Sequence, residues 1–150
     1  MTEATFPITG DPDDAALLLD DPFALLLGML LDQQVPMEWA FRSPSRLRER
    51  MEAAEPGSFS PAGLAALSED RAVELFSEKP ALHRYPKSMG KRAHAVAEML
   101  VDEYDGVASA VWTTAADGCE LYRRLRALPG YGEEKAKIFV AVLAKRFGKR

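Results

Sequence analysis

Two glycines one residue apart, Gly130 and Gly132, stand in the segment Leu-Pro-Gly-Tyr-Gly over 128–132 of the 150-residue chain. Glycine has no Cβ, so the backbone can turn sharply here and approach a ligand closely. Amphipathic patterns predict one helix that runs into this turn over 120–127 and another that leaves it over 133–147. The first amides of a helix have no partner within it and lie at its positive end, where anions bind. The segment therefore predicts a backbone clamp for a phosphate of a nucleic acid.

Charged side chains surround this turn on both sides. Glu133 and Glu134 suit the positive end of a helix, but they repel a phosphate. A Gly-x-Gly turn is also a common tight connection between two helices, with glycine at the C-cap, so packing alone is a competing interpretation. Five cations flank the turn and could offset the acids, namely Arg123, Arg124, Arg126, Lys135 and Lys137.

A second polar cluster, Asp32-Gln33-Gln34, follows an apolar run over 23–31. The pattern predicts a helix over 22–34 that is apolar nearly all round, which is typical of a buried central helix. The two glutamines then lie at the mouth of that helix, where their amides could donate to or accept from a ligand. The competing interpretation is an ordinary polar helix C-terminus.

Charge is distributed unevenly along the chain, although the net charge is −4. Residues 1–41 hold eight acids and no Lys or Arg, whereas residues 121–150 hold nine Lys or Arg and two acids. Binding responds to the local field, which salt screens over ~10 Å, more than to the total charge. The basic end is therefore consistent with a nucleic-acid partner, or alternatively with a solvated basic tail.

Composition excludes several classes of protein. Hydrophobic residues make up 47% and charged residues 28%, as in ordinary globular domains. The longest apolar run is too short to cross a bilayer and no signal-peptide pattern is present, so we expect a cytoplasmic protein, associated with the nucleoid when bound to DNA. Cys119 is the single cysteine, and two scattered histidines, His83 and His94, do not predict a zinc site.

An Asp or Ser directly before a proline occurs four times, at 11–12, 21–22, 43–44 and 60–61. This pairing places an N-cap residue before a proline at the first helical position, so each pair predicts a helix start. Strand alternation is absent, and we predict an all-α, compact multi-helix bundle formed by one domain over 1–150, with a loose leader over 1–10. Val101 and Ile138 are expected among the buried positions. The predicted helices span 13–19, 22–34, 37–42, 45–51, 61–67, 69–77, 87–104, 107–111, a segment capped by Asp117 that leads to Leu128, and 133–147.

Three segments together resemble the helix-hairpin-helix (HhH-GPD) base-excision DNA glycosylases, the superfamily of endonuclease III and 3-methyladenine glycosylase. The run over 23–35 looks like the family's buried helix that ends in a glutamine-bearing turn. Ser-Met-Gly-Lys-Arg-Ala over 88–93 looks like its glycine and basic helix start, and 128–136, continuing to Gly148, looks like its hairpin. The hairpin, about 118–147, is the most specific of the three. The resemblance covers roughly 22–148.

This resemblance implies a base-excision repair protein that binds damaged or abasic duplex DNA and flips a base out of the helix. In the family the hairpin amides hold a phosphate, often with a bound monovalent cation, and Gly130, Gly132 and the N–H of Lys135 match those positions. Gln34, with Gln33 beside it, matches the glutamine that fills the gap left by the flipped base. Lys91 and Lys137 are the further DNA-binding residues that we expect.

The chain departs from the family at the residues that perform catalysis. Glu134 occupies the position of the nucleophilic lysine, and Lys135 is the next residue, about 100° away around a helix. The cysteines of the family's iron-sulfur cluster are absent, so we expect no cofactor beyond the cation. The position of the family's catalytic aspartate falls beyond Arg150, so no catalytic residue is assigned, and Asp32 is considered only as a stand-in.

Three functions therefore stay open at this point. The first is a monofunctional-type DNA N-glycosylase, which hydrolyses the N-glycosidic bond of a damaged base. The second is a non-catalytic DNA-binding or lesion-sensing module on the same scaffold. The third is a helical domain whose hairpin serves packing only.

Overall fold

The computed structural model describes Leu17, residues 21–32 and residues 37–147. Within this part of the chain every regular element is a helix, as predicted. The predicted leader and the predicted helix over 13–19 lie outside the described residues, except for Leu17, which is helical and buried. The helices are α1 (Pro22–Leu31), α2 (Met37–Ala54), α3 (Pro61–Ala66), α4 (Glu69–Ser77), α5 (Pro86–Tyr104), α6 (Ala110–Thr113), α7 (Gly118–Ala127) and α8 (Glu133–Phe147).

Helix α1 lies at the centre of the core. A carboxylate oxygen of Asp21 accepts hydrogen bonds from the amides of Phe23, at 2.9 Å, and Ala24, at 3.4 Å, and Pro22 occupies the first turn. The predicted cap thus starts the helix, and all nine residues over 23–31 are buried. Full burial of each large apolar side chain is worth about 1.5–3 kcal/mol. The buried central helix is therefore confirmed, although it ends at Leu31 and not at Gln34.

The predicted break at Ser43-Pro44 is wrong, because α2 runs unbroken through both residues. Proline has no N–H and cannot complete the helical hydrogen bond at its position. The buried hydroxyl of Ser43 lies 3.0 Å from the carbonyl oxygen of Trp39 and 2.6 Å from that of Leu82, and so ties the helix to the loop before α5. Buried apolar residues on both sides of Pro44 pack into the core and keep the helix continuous.

Helices α4 and α5 pack with their backbones in close approach at Gly90. A Cβ on this glycine would lie 2.9 Å from the Cα of Val73, so any larger residue would separate the two helices. The ring of His94 is buried and its Nε2 lies 2.7 Å from the carbonyl oxygen of Leu67, which places it in packing between elements. Val101 on the same helix is 37% exposed, so its predicted burial is wrong.

Arg124 joins α7 to α6. Its guanidinium donates to the carbonyl oxygens of Ala110 and Val111, both at 3.2 Å, and to the hydroxyl of Thr114 at 2.6 Å. It also forms an ion pair with Glu120 at 2.6 Å. Arg124 therefore caps the carboxyl end of α6, and its charge is used within the fold.

Helix α8 buries Ala136, Phe139 and Leu143, which recur at three and four residues and so share one face. Ile138 is 56% exposed, so its predicted place in this buried stripe is wrong. It precedes Phe139 by one residue, which rotates it about 100° away from the core face. The ring of Phe139 stacks with that of Tyr131 at a centroid distance of 6.1 Å, and this contact joins α8 to the turn before it.

Candidate nucleic-acid interface

The hairpin between α7 and α8 is closed by its own backbone. The amide of Leu128 donates to the carbonyl of Leu125, and the amide of Tyr131 donates to the carbonyl of Leu128, both at 3.1 Å. The first bond of the following helix runs from the amide of Ala136 to the carbonyl of Gly132 at 3.0 Å. The amides over 133–135 therefore precede the helical ladder, as the anion-binding prediction requires.

The two glycines of the hairpin meet different requirements. Gly130 has a φ of +83°, and a Cβ there would lie 2.5 Å from Cδ1 of Leu30 and 3.2 Å from Cδ of Arg92. The turn thus needs glycine at 130 both for its backbone conformation and for close packing on α1 and α5. Gly132 is exposed, and a Cβ there would have no atom within 4 Å. The backbone at 132 is therefore open to an approaching ligand.

Tyr131 fastens the hairpin to α1. Its side chain is buried, and its hydroxyl donates to the carbonyl oxygen of Leu26 at 2.6 Å. Burial raises the pKa of this phenol well above its ordinary value, so the group stays neutral and keeps its proton for this bond. The residue between the two glycines is thus an anchor within the fold.

Lys135 points inward, toward the carboxyl end of α1. Its Nζ donates to the carbonyl oxygen of Leu30 at 2.7 Å and lies 5.9 Å from the centroid of the Tyr131 ring. Burial lowers the pKa of this amine to about 8; the Asp32 carboxylate opposes the shift, and the charge of Arg92 adds to it. The ammonium caps a helix end that would otherwise present bare carbonyls.

His83 provides a second cap for the same helix end. Its ring is buried, and Nδ1 accepts a hydrogen bond from the amide of Tyr85 at 3.0 Å. Nε2 lies 3.0 Å from the carbonyl oxygen of Leu31, so it carries the proton and donates. Sequence reasoning mentioned His83 only in rejecting a zinc site and missed this role. Helix ends require such donors, but the sequence does not show which distant side chain supplies them.

Asp32 follows the capped end of α1. Partial burial raises the pKa of its carboxyl group, and the charge of Lys135 opposes that shift. Gln33 and Gln34, the residues predicted to fill the gap of a flipped base, lie outside the described residues. The structure thus brings together Asp32, Lys135, Arg92 and Gly130 around the point from which the chain enters the glutamine segment.

The remaining predicted contacts lie on the surface. Lys137 is exposed and pairs with Glu133 at 3.1 Å, and this hydrogen bond raises the pKa of its amine. Its charge is thus partly neutralised by the acid at the start of α8. Lys91 is exposed on α5, one residue before Arg92, which contacts the hairpin. Glu134, which stands where the resembled family has a lysine, is exposed as well.

The described residues form a surface that can hold a polyanion, with open amides at 133–135 and basic side chains on α5. They contain no group of three or more His, Cys, Asp or Glu side chains that could hold a metal ion. None of the described helices is long and apolar enough to span a membrane.

Comparison with known proteins supports the fold. No family model matches the sequence, and no curated protein is detectably similar to it. The structure is similar to that of a trapped endonuclease III–DNA covalent intermediate in an estranged-adenine complex, with a TM-score of 0.57, 20% identity, and coverage of 91% of this chain and 56% of the other. A non-covalent endonuclease III–DNA complex gives a TM-score of 0.55 at 17% identity, with the same coverage.

The chain thus spans 56% of the length of these two endonuclease III structures. The resemblance drawn from the three sequence motifs is confirmed at the level of the all-helical fold.

Proposed function

We propose that this chain binds duplex DNA through the hairpin over 128–132 and through Gln33 and Gln34, as a DNA glycosylase-like protein of base-excision repair. Its substrate would be duplex DNA that contains a damaged base or an abasic site. The protein would act in the cytoplasm, bound to the nucleoid. Similarity to two structures that contain DNA supports a DNA partner for the same fold.

The observation that carries this proposal is the pairing of a closed hairpin with an open helix start. Gly130 is required by packing, whereas Gly132 is unobstructed and the amides over 133–135 lie outside the helical ladder. A hairpin that served packing only would need the first glycine and not the second. An open glycine followed by free amides suits a phosphate that contacts the backbone directly.

The resemblance also implies a monovalent cation at the hairpin. Its ligands would be backbone carbonyl oxygens, because the hydroxyl of Tyr131, the only polar side-chain group over 128–132, points to Leu26. We expect binding to weaken when potassium is replaced by tetramethylammonium at constant ionic strength. Equal binding in the two salts would remove the cation from this proposal.

We further propose which kind of catalysis the residues near the hairpin could support. Lys135 donates to a main-chain carbonyl and faces inward, and Glu134 stands at the lysine position, so a glycosylase here would be of the monofunctional type. Such an enzyme needs a carboxylate near the glycosidic bond. Asp32 is a described carboxyl group beside the candidate site, at the end of α1, and partial burial raises its pKa.

The same observations favour a second candidate, a lesion-sensing module without catalysis. Glu134 has no amine, and the amine of Lys135 is engaged with the carbonyl oxygen of Leu30, so neither residue provides a free amine nucleophile. A panel of duplexes with alkylated, oxidised and deaminated bases separates the two candidates. Base release above a buffer control supports the glycosylase, and binding without any release supports the module.

The binding claim is tested with a duplex that holds a stable abasic-site analogue, compared with undamaged duplex at two salt concentrations. The variant Gly132→Asp adds a negative charge where a side chain meets no steric obstacle. We expect it to weaken binding at both salt concentrations, because the new carboxylate repels a phosphate beside the open amides. A Gln34→Ala variant should lose the preference for the abasic duplex.

The matched control is Gly57→Asp, which adds the same charge at another glycine with open space around it. Asp tolerates the positive φ of +82° found there better than most residues. It should bind DNA like the unaltered protein. If Gly132→Asp also binds like the unaltered protein, the hairpin does not contact DNA and the proposal fails.

A further inference from the structure

A cavity of about 570 Å³ opens beside the first turns of α5. This volume lies within the ~300–1,000 Å³ typical of small-ligand sites. Tyr85 lines this cavity and is 45% exposed, so its ring is accessible to a ligand. The lining residues are Tyr85, Pro86, Lys87, Ser88, Lys91 and Arg92.

The segment that forms this cavity is strongly basic. Residues 79–97 contain five Lys or Arg and no Asp or Glu. Lys87 and Lys91 lie four residues apart on one face of α5, where two like charges repel each other. Both are exposed, and no acid within the described part of the chain forms a salt bridge with either. Their repulsion is relieved if an anion binds between them.

The cavity adjoins the candidate DNA interface through two contacts. Arg92, in its wall, lies against Gly130 of the hairpin. The amide of Tyr85 donates to His83, whose other ring nitrogen bonds the carbonyl of Leu31 at the end of α1. The rings of His83 and Tyr85 are 5.9 Å apart between centroids. Tyr85 is thus held in a fixed relation to the end of α1.

We propose that this cavity binds an unstacked nucleotide of the DNA, with its base on the ring of Tyr85 and its phosphate between Lys87 and Lys91. The proposal rests on the proposed function, because it takes the nucleotide from a duplex whose stacking is broken at a lesion. An aromatic face accepts any of the four bases, and lysines supply a charge that phosphate neutralises. The site is therefore tolerant of sequence.

The direct test is photo-crosslinking of a 5-iodouracil base placed opposite an abasic-site analogue. Crosslinking to the full chain is expected at Tyr85, located by mass spectrometry of the digested complex. Tyr85→Ala should abolish this crosslink and weaken binding to the abasic duplex by about five- to one-hundred-fold. Tyr85→Phe keeps the stacking face and should bind like the unaltered protein. Circular dichroism checks that each variant is folded.

Charge at the site is tested in parallel. Lys87→Gln combined with Lys91→Gln should lower the salt slope by about one, because the two lysines neutralise one phosphate. Arg71→Gln serves as control, since Arg71 lines a different cavity and its substitution removes one surface charge there. A double lysine variant with an unchanged salt slope would overturn the placement of the phosphate.

Each outcome separates this proposal from the proposed function. If Tyr85→Ala binds the abasic duplex normally while Gly132→Asp does not, the nucleotide site is refuted and DNA binding at the hairpin stands. A free nucleotide is the other source of the same chemistry, so deoxyuridine monophosphate is tested as a competitor. Efficient competition by the free nucleotide, without any crosslink to DNA, would also overturn the proposal.

Discussion

Replacing Lys135 by methionine should remove a specific pH dependence from the stability of this protein. Burial between α1 and the hairpin lowers the pKa of this amine from 10.5 to about 8. In the unfolded chain the amine is fully solvated and titrates near its ordinary value. Between these two pH values the unfolded state therefore binds more protons than the native state, and the free energy of unfolding rises with pH. Below pH 8 both states are protonated and this contribution is constant.

The size of the effect follows from the separation of the two pKa values. One pKa unit corresponds to about 1.4 kcal/mol, so the full separation corresponds to about 3 kcal/mol. Lys135 is only half-buried, and water screens part of this penalty, so we expect about 1–2 kcal/mol. The methionine variant also loses the hydrogen bond to Leu30, which costs about 1 kcal/mol at every pH. The diagnostic quantity is therefore the change of the unfolding free energy with pH, and not its constant difference between the two proteins.

Urea unfolding followed by circular dichroism measures both quantities. From pH about 7.5 to about 9.5 the unaltered protein should gain roughly 1 kcal/mol relative to Lys135→Met. Lys91→Met is the matched control, because Lys91 is exposed on α5, and it should keep the pH dependence of the unaltered protein. Parallel pH profiles for the unaltered protein and Lys135→Met would show that the amine is not desolvated in solution, and the reasoning would be refuted.

Four further expectations follow from the same contacts. Gly130→Ala should lower the free energy of unfolding, measured in urea, by about 1–3 kcal/mol more than Gly57→Ala does, because both glycines have a positive φ but only a Cβ at 130 meets neighbouring atoms. Equal losses would rule out the close contact with α1. Glu133→Gln should raise affinity for DNA roughly five-fold in a fluorescence-anisotropy titration, since it removes a charge beside the open amides; weaker binding would contradict the clamp. Asp21→Ala should cost about 1 kcal/mol in urea unfolding through loss of the cap of α1, and no cost would exclude the cap. Sodium borohydride should trap no covalent complex with abasic DNA, because the Lys135 amine is engaged with a carbonyl; a complex that Lys135→Met abolishes would overturn this view.

Local chemistry explains most of what the sequence predicted correctly. Asp21, Ser60 and Asp117 each accept a hydrogen bond from a helical amide, as their side chains and positions indicated. Capping depends on residues within one turn of each other, so the sequence contains the necessary information. The central apolar helix is predictable for the same reason, since a segment that is apolar all round has no face to present to water.

The wrong predictions have non-local causes. Ser43-Pro44 matches a helix start, but the hydroxyl of Ser43 bonds to Leu82, which is 39 residues away, and packing carries the helix through the proline. Ile138 and Val101 are apolar residues that lie beside a buried face and not on it. An apolar residue at the edge of a helical stripe does not by itself reveal which side of the boundary it occupies.

In the candidate site, too, the local features are visible in the sequence and the long-range contacts are not. The hairpin and its two glycines are visible in the sequence because the turn is local. Lys135 and His83 both bond to the last carbonyls of α1, across separations of 105 and 52 residues. Sequence reasoning placed Lys135 among the cations for a phosphate, since a lone sequence cannot show that a lysine is needed by a distant helix end.

If the chain binds DNA as proposed, these assignments change where the attraction would originate. Arg124 caps α6, Lys135 caps α1, and Lys137 is paired with Glu133, so three of the five flanking cations serve the fold or are partly neutralised. The hairpin would then attract a phosphate chiefly through its open amides, which contribute partial charges and little dependence on salt. The salt-dependent part of the proposed binding would then come from exposed cations, namely Lys87 and Lys91 on α5 together with Arg123 and Arg126. Substitutions at the hairpin and on α5 should therefore act differently, the first mainly on affinity at every salt concentration and the second mainly on its salt dependence.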